Sequence, residues 1–341
     1  MKPFRRVAAA FAVLLSPVTA HAYSALYVFG DSLSDAGNVF LGTSAPGSPV
    51  STQPASPYAN GQFSNGPTWV QDLSVSLGLG AEQPSLAGGN DYAFGGATTG
   101  YAASNNPAVP TLQGQVAAFS AAHGSVATST ALYSVWIGAN DLTNILVSGE
   151  NAGQMLGNAQ GAAAVETSAI AALVAEGAKN FVVPLVPNLG LTPDSTAAGA
   201  AAAAAATALS QVYDAALTAG LNGLVTADGI AVTIVDTYSL LDAAIADPAA
   251  YRFSNVTAGC YTGPYTGGGT VCANPSQYLF WDGEHPTAVG HALIAAAAEA
   301  DLPEPGTLAT LSIGLAGIAA LRRRRSAVCC RLATPEGKLL G

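Results

Sequence analysis

Short apolar runs alternate with alanine-rich, helix-length stretches along most of this 341-residue chain. The apolar runs are rich in Val, Ile, Tyr and Phe and have the length of strands; they occupy residues 25–29, 92–94, 132–137, 181–186 and 230–235. Strands that are separated by helices form βαβ crossovers and a mostly parallel sheet. The alternation therefore predicts one α/β domain, which we place over residues 23–302.

Charged residues are distributed unevenly along the chain. Within residues 23–302, Lys179 and Arg252 are the only basic residues, against 19 acidic ones. Nucleic-acid binding requires basic side chains that displace counterions from phosphates, and this region has almost none. Docking on an anionic lipid surface is disfavoured for the same reason. We therefore expect no nucleic-acid partner.

The first 22 residues have the pattern of a secretory signal peptide. Residues 1–6 are basic, residues 7–15 are apolar, and Ala20-His21-Ala22 is a small-x-small cleavage site. The alternative is a membrane anchor, but the apolar run is much shorter than the ~20 residues that a transmembrane helix needs. The pattern predicts an exported protein whose mature chain begins at Tyr23.

A second targeting pattern lies near the C-terminus. Pro303-Glu304-Pro305 is followed by the apolar stretch 306–321 and then by the basic cluster 322–325. This arrangement resembles the PEP-CTERM sorting signal of Gram-negative bacteria. The resemblance implies that residues 303–325 anchor the chain transiently in the inner membrane. A membrane-bound sorting protease then cuts near the Pro-Glu-Pro, so that the protein reaches the cell surface or the extracellular matrix. No role is predicted for the tail, residues 326–341.

Two cysteines, Cys260 and Cys272, lie in a loop rich in Gly, Pro and Tyr. In an oxidising compartment they are expected to form a disulfide that closes a loop of about 13 residues and contributes about 3 kcal/mol of stability. The alternative is a pair of free thiols. No spacing of Cys and His fits a zinc site, so we expect no metal and no cofactor.

A candidate nucleophile, Ser32, directly follows the first predicted strand, in the segment FGDSLSDAGN (29–38). Ligand sites in parallel sheets form just beyond the carboxyl ends of the strands, so a serine in this turn can expose its hydroxyl to a ligand. A serine at such a position can equally be the N-cap of the next helix.

A candidate base and its acid partner lie in the segment DGEHP, which contains Asp282 and His285. A serine needs a base to take its proton, and the base needs a carboxylate that fixes its tautomer. Glu284 is the alternative carboxylate. The other two histidines of the predicted domain lack an acidic neighbour, so we interpret His123 as a surface residue and His291 as a packed helix residue.

Two further segments carry groups that could contact an oxyanion. Asn140 follows a predicted strand, and its amide could donate a hydrogen bond to an acyl oxyanion or could simply cap a turn. Gly95 and Gly96 follow another predicted strand. Paired glycines at such a position let the backbone approach a ligand closely.

In this order, the four segments resemble the sequence blocks of the GDSL, or SGNH-hydrolase, family of esterases and lipases. The matching blocks are FGDSLSDAGN, DYAFGGATT, GAND and DGEH. The resemblance implies a three-layer α/β/α sandwich with a five-stranded parallel sheet of the flavodoxin-like type. One departure is that Asp91 stands where the family usually has Asn.

The resemblance also implies a role for each matching residue. Ser32 corresponds to the nucleophile, His285 to the base and Asp282 to the acid that orients the base. Because a histidine base must be neutral to accept a proton, we expect activity to fall below about pH 6.

The same resemblance implies an oxyanion hole made by the backbone N–H groups of Ser32 and Gly96 and by the side chain of Asn140. Gly95 is the alternative glycine donor.

The function that these residues imply is an exported serine esterase or lipase acting on a lipid or an acylated saccharide. The alternatives are an acetyl esterase that acts on an exopolysaccharide and a non-catalytic matrix protein with the same fold. The aromatic residues near the nucleophile are interpreted as core residues, with a place in an acyl pocket as the alternative: Phe40, Tyr58, Phe63 and Trp69.

Overall fold

Four of the apolar runs form the central sheet in the computed structural model, which describes residues 23–101 and 109–303. The strands are β1 (Leu26–Gly30), β2 (Leu132–Trp136), β3 (Asn180–Pro184) and β4 (Ala231–Val235). They are parallel and hydrogen-bonded in that order. β1, β2 and β3 are almost entirely buried, as expected for parallel strands that are covered on both faces.

The α-helices of the described residues follow the alternation that the sequence predicts. They are α1 (Asn38–Ser44), α2 (Trp69–Ser76), α3 (Leu112–His123), α4 (Ala139–Leu146), α5 (Ala152–Glu176), α6 (Pro193–Ala197), α7 (Ala200–Asp228), α8 (Thr237–Ala246) and α9 (Ala288–Asp301). The longest, α5 and α7, are rich in alanine, which has the highest helix propensity. Asn151 caps the start of α5 by accepting a hydrogen bond from the N–H of Gln154.

The helices cover the two faces of the sheet. Phe29, Tyr133 and Phe181 pack on one face against α3, α5 and α7. Leu26 and Val28 point to the opposite face, where they pack against α2 and α9. Successive residues of a strand point to opposite faces, which explains why neighbours such as Val28 and Phe29 belong to different cores. The predicted three-layer α/β/α sandwich is confirmed.

The predicted count of five strands is wrong, because residues 92–94 do not form a regular strand. This segment runs beside β1, and the N–H groups of Tyr92 and Phe94 donate to the carbonyls of Val28 and Gly30 at 2.7 and 3.1 Å. The ladder is reduced to one bridge, between Val28 and Asp91. The chain leaves the edge of the sheet at the glycine pair that follows Phe94, which limits the pairing.

A small region after α8 carries the C-terminal part of the candidate site. β5 (Asn255–Gly259) pairs with β8 (Tyr278–Phe280), and β6 (Tyr261–Thr262) pairs with β7 (Thr270–Val271). A disulfide joins Cys260 to Cys272 across this hairpin, with 4.8 Å between their Cα atoms. β8 leads directly into the turn that contains Asp282 and His285.

Residues Tyr23–Leu302 form one compact unit. Within the residues that the structure describes, no helix is both long enough and apolar enough to cross a membrane. The predicted signal peptide, residues 1–22, lies outside the described residues. So do residues 304–341, which include nearly all of the predicted anchor segment and the whole of the final tail.

Candidate active site

The turn that carries Ser32 begins at Gly30, the last residue of β1. A Cβ atom at Gly30 would lie 2.4 Å from the carbonyl oxygen of Trp136 on β2, so no larger residue fits there without a shift of the backbone. Gln115 fixes the backbone of Gly30 with two hydrogen bonds, accepting from its N–H at 2.9 Å and donating to its carbonyl at 2.8 Å. Asp35 N–H then bonds to the Asp31 carbonyl at 3.0 Å and tightens the turn. Ser32 therefore projects from a closely fixed backbone.

Ser32, His285 and Asp282 form a continuous series of hydrogen bonds. The Ser32 Oγ atom lies 2.8 Å from His285 Nε2. His285 Nδ1 lies 2.8 Å from Asp282 Oδ2 and 3.0 Å from Asp282 Oδ1. All three residues are buried, with at most 9% of their surface exposed. This is the geometry in which an imidazole can take a proton from a serine hydroxyl while a carboxylate supports the resulting charge.

Mutual electrostatics shift the pKa values of His285 and Asp282 in opposite directions. Burial acts to lower the pKa of the His285 imidazole, but the Asp282 carboxylate outweighs burial and raises that pKa to about 9. Burial acts to raise the pKa of Asp282, but the His285 charge and hydrogen bonds lower it to about 2. Asp282 is therefore ionised at neutral pH, and it favours the imidazolium form of His285.

The Asp282 carboxylate accepts hydrogen bonds at both oxygens. Its Oδ1 accepts from the backbone N–H groups of Glu284 and His285, at 3.0 and 2.8 Å. Its Oδ2 accepts from the hydroxyl of Tyr58 at 2.8 Å. Glu284, the alternative acid, points elsewhere: its exposed carboxylate accepts from the Tyr265 hydroxyl at 2.8 Å. The structure thus places Asp282, and not Glu284, against the imidazole.

The two glycines that could donate to an oxyanion differ in their hydrogen bonding. Gly95 is buried, and its N–H donates to Asp35 Oδ2 at 2.9 Å. Gly96 is exposed with φ of +79°, and its N–H has no acceptor within the described part of the chain. Asn140 donates one amide hydrogen to the carbonyl of Ala97 at 3.0 Å, beside Gly96, and keeps a second hydrogen. Gly96 is therefore the glycine whose N–H is free for a ligand.

Asp91, which departs from the family pattern, supports the loops on both sides of the site. Its Oδ2 accepts from the N–H of Ala36 and its Oδ1 from the N–H of Ala93, both at 2.7 Å. The side chain of Asn38 donates to the carbonyls of Asp91 and Ala93. An asparagine has a single acceptor oxygen, so it could not serve both N–H groups in this way. Asp91 therefore accepts with both oxygens and joins the turn that carries Ser32 to the segment that carries Gly95 and Gly96.

An apolar cavity that is partly open to solvent lies beside the Ser32 hydroxyl. Ser32, Asn140 and His285 line its polar end, whereas Gly96 is not part of its wall. Its apolar wall includes side chains from α8, α9 and the loop after β3: Leu189, Leu240, Leu241, Ala244, Leu293 and Ile294. None of the four aromatic residues considered for an acyl pocket lines it.

The other two histidines play no part in the series. His291 is fully buried on α9, and its Nδ1 accepts from the backbone N–H of Trp69 at 3.3 Å, so it is the packed helix residue that the sequence predicts. His123 is partly buried: its ring packs against Tyr27 and Phe119, and its Nε2 lies 3.3 Å from the Tyr92 hydroxyl. His123 is therefore partly at the surface, as the sequence indicates, but its ring is also packed.

Sequence reasoning missed Tyr58 and Gln115 as supports of the site. Tyr58 lies 224 residues before Asp282, and Gln115 lies 85 residues after Gly30. Neither belongs to one of the four blocks, and each contacts the site only through the tertiary fold. The one available signal was the aromatic character of Tyr58 in a loop otherwise rich in Ser, Pro and Gly.

A parallel α/β sheet with a hydrogen-bonded Ser-His-Asp series beyond its strand ends has the architecture of an α/β serine hydrolase. Residues 26–298 match the family described as GDSL-like Lipase/Acylhydrolase, and the chain belongs to this family. Residues 301–325 match the PEP-CTERM protein-sorting motif, which is typical of proteins exported by Gram-negative bacteria. Both resemblances inferred from the sequence are confirmed.

Relatives of known name are similar over part of their length. Lipase 1 of Photorhabdus luminescens is 35% identical over 180 residues, which is 51% of this chain and 24% of that protein. Esterase EstA of Pseudomonas aeruginosa is 32% identical over 311 residues, which is 80% of this chain and 46% of that protein. The chain thus spans at most about half of the length of these relatives.

Among solved structures, a lipolytic G-D-S-L family protein from Veillonella parvula matches with a TM-score of 0.39 and 16% identity, covering 81% of this chain and 96% of that one.

Proposed function

We propose that this chain is an exported carboxylic-ester hydrolase that acts through an acyl-enzyme on Ser32. The observation that carries the proposal is the unbroken series of hydrogen bonds from Ser32 through His285 to Asp282 at the end of an apolar cavity. A purely structural serine would not need a buried imidazole and a buried carboxylate aligned behind it. Membership of the GDSL family supports the same chemistry.

In the first step, the Ser32 oxygen attacks the ester carbonyl carbon while its proton moves to His285 Nε2. The carbonyl π electrons move onto the oxygen, and the resulting oxyanion accepts hydrogen bonds from the N–H groups of Ser32 and Gly96 and from the Asn140 amide. The bond between the carbon and the leaving oxygen then breaks, and that oxygen takes the proton from His285 as the alcohol leaves. The acyl group remains on Ser32.

In the second step, water takes the place of the alcohol. His285 removes a proton from the water, whose oxygen attacks the acyl carbon. The second oxyanion that forms accepts hydrogen bonds from the same donors. The bond to Ser32 breaks, and the proton on His285 returns to the serine oxygen as the carboxylic acid leaves. Throughout, ionised Asp282 stabilises the imidazolium that forms in each half of the reaction.

The cavity favours acyl chains longer than acetyl. Its lining includes six leucines and one isoleucine, which an acyl chain on Ser32 would contact. Each methylene that is transferred from water to such a wall contributes about 0.8 kcal/mol. If this binding is expressed in the transition state, kcat/KM increases about fourfold for each methylene until the chain fills the cavity.

Two alternatives have less support. An acetyl esterase that acts on an exopolysaccharide fits the C-terminal sorting motif, but an acetyl group offers only one methyl group to the apolar wall of the cavity. A non-catalytic matrix protein fits the same motif, but it would not require the Ser32–His285–Asp282 series.

The proposed location follows from the ends of the chain. We place the protein outside the cytoplasm of a Gram-negative bacterium, after removal of residues 1–22 as a signal peptide. Residues 303–325 would be held briefly in the inner membrane and then released by a sorting protease. The PEP-CTERM match supports export, and the disulfide between Cys260 and Cys272 is consistent with an oxidising compartment.

The test is a series of p-nitrophenyl esters from acetyl to dodecanoyl, assayed with the wild-type protein and with Ser32→Ala. We expect turnover by the wild type that increases with acyl length, and a loss of at least about 10³-fold in Ser32→Ala. Ser51→Ala, at an exposed serine outside the site, is the matched control and should retain full activity. Equal activity of Ser32→Ala and wild type would refute the mechanism, and activity limited to acetyl esters would favour the polysaccharide alternative.

A further inference from the structure

The hydroxyl of Tyr58 and the imidazole of His285 contact the same oxygen of Asp282. Tyr58 donates to Asp282 Oδ2 at 2.8 Å, and His285 Nδ1 lies 2.8 Å from that atom. Building on the function proposed above, we propose that Tyr58 is a positioning residue of the active site, which holds Asp282 against His285 and moderates its charge. Tyr58 belongs to none of the four sequence blocks.

Tyr58 is fixed by its surroundings and not only by this bond. Its side chain is 5% exposed. Its ring is in edge contact with four other aromatic rings, at centroid distances of 5.2–6.3 Å: Phe63, Tyr261, Tyr265 and Trp281. A ring that is packed on several sides cannot swing its hydroxyl towards another acceptor. The direction of the Tyr58 hydroxyl is therefore set by packing, and the carboxylate is oriented by it.

Tyr58 completes the set of donors around the carboxylate. Asp282 Oδ1 accepts from two backbone N–H groups of its own turn, those of Glu284 and His285. Asp282 Oδ2 has no backbone donor and depends on the side chains of Tyr58 and His285. A carboxylate has about four acceptor positions, and all four are filled in this arrangement. Without Tyr58, His285 would be the remaining donor to Oδ2 among the described residues.

The disulfide loop holds the segment that carries Tyr58. The N–H of Ala55 donates to the carbonyl of Tyr265 at 2.7 Å, and the N–H of Tyr58 donates to the carbonyl of Ala55 at 3.1 Å. Tyr265 lies between Cys260 and Cys272, in the loop that the disulfide closes. The position of Tyr58 over the active site is therefore supported from a second, covalently closed part of the chain.

A hydrogen bond to Asp282 Oδ2 has a defined effect on the base. The hydroxyl shares the negative charge of the carboxylate, so less of that charge acts on the His285 imidazolium. Removing the hydroxyl leaves a more basic carboxylate that holds the proton on His285 more strongly. The proton then leaves His285 at a higher pH, so the midpoint of the acid limb of the kcat/KM profile shifts to higher pH.

Other titratable groups near the pair are the same in the wild type and in Tyr58→Phe. The groups that act electrostatically on Asp282 or His285 come from several elements: Asp31 of the turn that carries Ser32, Asp194 of α6, Tyr265 of the disulfide loop, Glu284 of the Asp282 turn and His291 of α9. Because all of them are retained in Tyr58→Phe, a shift of the limb in that variant reports the loss of the Tyr58 hydroxyl.

The test compares the pH dependence of kcat/KM in the wild type, Tyr58→Phe and Tyr261→Phe, using one ester substrate. Phenylalanine keeps the ring contacts and removes only the donor. We expect the midpoint of the acid limb to rise by roughly half to one pH unit in Tyr58→Phe, and kcat near neutral pH to fall several-fold with little change in KM. Tyr261 belongs to the same aromatic cluster, but its hydroxyl donates to the carbonyl of Pro264, so Tyr261→Phe should keep the wild-type midpoint.

A second measurement does not depend on removing the hydroxyl. Site-specific incorporation of 3-fluorotyrosine at position 58 gives a more acidic phenol that donates more strongly, and it should move the midpoint in the opposite direction. A midpoint that stays at the wild-type value in both variants would overturn the proposal for Tyr58. If Ser32→Ala also remained active, the proposed function itself would fail; if Ser32→Ala were inactive, only the role of Tyr58 would be rejected.

Discussion

The side-chain amide of Gln115 forms two hydrogen bonds with the backbone of Gly30, although 85 residues separate the two. The amide accepts from the Gly30 N–H and donates to the Gly30 carbonyl, at the point where β1 ends and the nucleophile turn begins. Both partners lie in the buried interior, where an unsatisfied backbone group is costly. The position of Ser32 therefore depends on a residue of α3 as well as on its own turn.

Replacing this amide by a carboxylate should damage both stability and activity. In Gln115→Glu, an ionised carboxylate would oppose an acceptor to the Gly30 carbonyl, and the alternative of protonating the buried carboxyl at neutral pH also costs free energy. We expect the free energy of unfolding to fall by about 2–3 kcal/mol, measured by denaturant titration, together with a lower kcat. Gln113→Glu, at an exposed glutamine of the same helix, is the matched control and should be nearly neutral. Equal stability of the two variants would show that the hydrogen bonds between Gln115 and Gly30 do not contribute to stability.

The pH dependence of activity should follow the His285 pKa. His285 must be neutral to accept a proton, and Asp282 raises the pKa of its imidazole to about 9. The limb of kcat/KM should therefore lie above 6.5, the ordinary value for histidine, and not near pH 6 as expected from the sequence. In Asp282→Asn the charge is lost, so the midpoint should move down while the plateau falls roughly 10³- to 10⁴-fold. Asp247→Asn, at an exposed position outside the site, should retain the wild-type profile; a wild-type limb at or below pH 6 would contradict the prediction.

Stability should change with pH in the direction opposite to activity. Burial raises the pKa of several carboxyl groups in the folded state, to about 6 for Asp35 and Asp141, about 7 for Asp31 and Glu82, and about 8 for Asp214. A carboxyl group with a raised pKa stabilises the fold below its unfolded value near 4, and this contribution is lost as the pH rises through the folded value. The raised His285 pKa acts in the same direction, with its contribution lost towards pH 9.

We therefore expect the melting temperature to be higher at pH 5 than at pH 8.5, by at least roughly 5 °C. The opposite effect of Asp282, whose pKa is lowered to about 2, is confined to pH values below about 4. Asp214→Asn removes one of the titrating groups, and its neutral amide oxygen can still accept from the Val186 N–H, so the slope should become shallower. A melting temperature that rises between pH 5 and pH 8.5 would exclude this account.

Loss of the disulfide should destabilise the protein. Cys260 and Cys272 close a loop over a sequence separation of 12, for which about 3 kcal/mol of stabilisation is expected. The double variant Cys260→Ser, Cys272→Ser should therefore unfold at a lower denaturant concentration than the wild type. As a control, a reducing agent should lower the stability of the wild type and leave the double variant unchanged. Equal unfolding midpoints for the two proteins would show that the disulfide adds nothing.

Narrowing the apolar cavity should change the preference for acyl length. Leu241 is a half-buried cavity residue on α8, and the larger side chain in Leu241→Trp should occupy space that a long acyl chain needs. We expect kcat/KM for octanoyl esters to fall at least about tenfold, with little change for acetyl esters. Leu86→Trp, at an exposed leucine that does not line the cavity, should keep the wild-type ratio. An unchanged ratio in Leu241→Trp would mean that acyl chains bind elsewhere.

The layered fold and the chemistry-bearing residues could be predicted because both leave local patterns. Apolar runs and helix-length segments report burial and periodicity directly, so β1 to β4 were each located to within two residues at either end. Ser32 and His285 stand in short blocks at strand ends, where the sheet topology brings them to one edge. The predicted strand at residues 92–94 was wrong because a strand requires continuous pairing with a neighbour. An apolar composition cannot show where that pairing stops.

The supporting contacts could not be predicted, because they join residues that are distant in sequence. Tyr58, Gln115 and Asp91 each satisfy a buried polar group of another segment, and the identity of that group depends on the complete fold. The choice between Gly95 and Gly96 is of the same kind. It follows from Asp35, whose carboxylate accepts the N–H of Gly95.

The separation of 253 residues between Ser32 and His285 has a consequence for biosynthesis. A ribosome adds Ser32 early, but the imidazole that contacts its hydroxyl is added only 253 residues later. Every shorter nascent chain lacks the proton acceptor, however well its sheet has formed. The proposed hydrolysis therefore cannot begin until synthesis has passed His285.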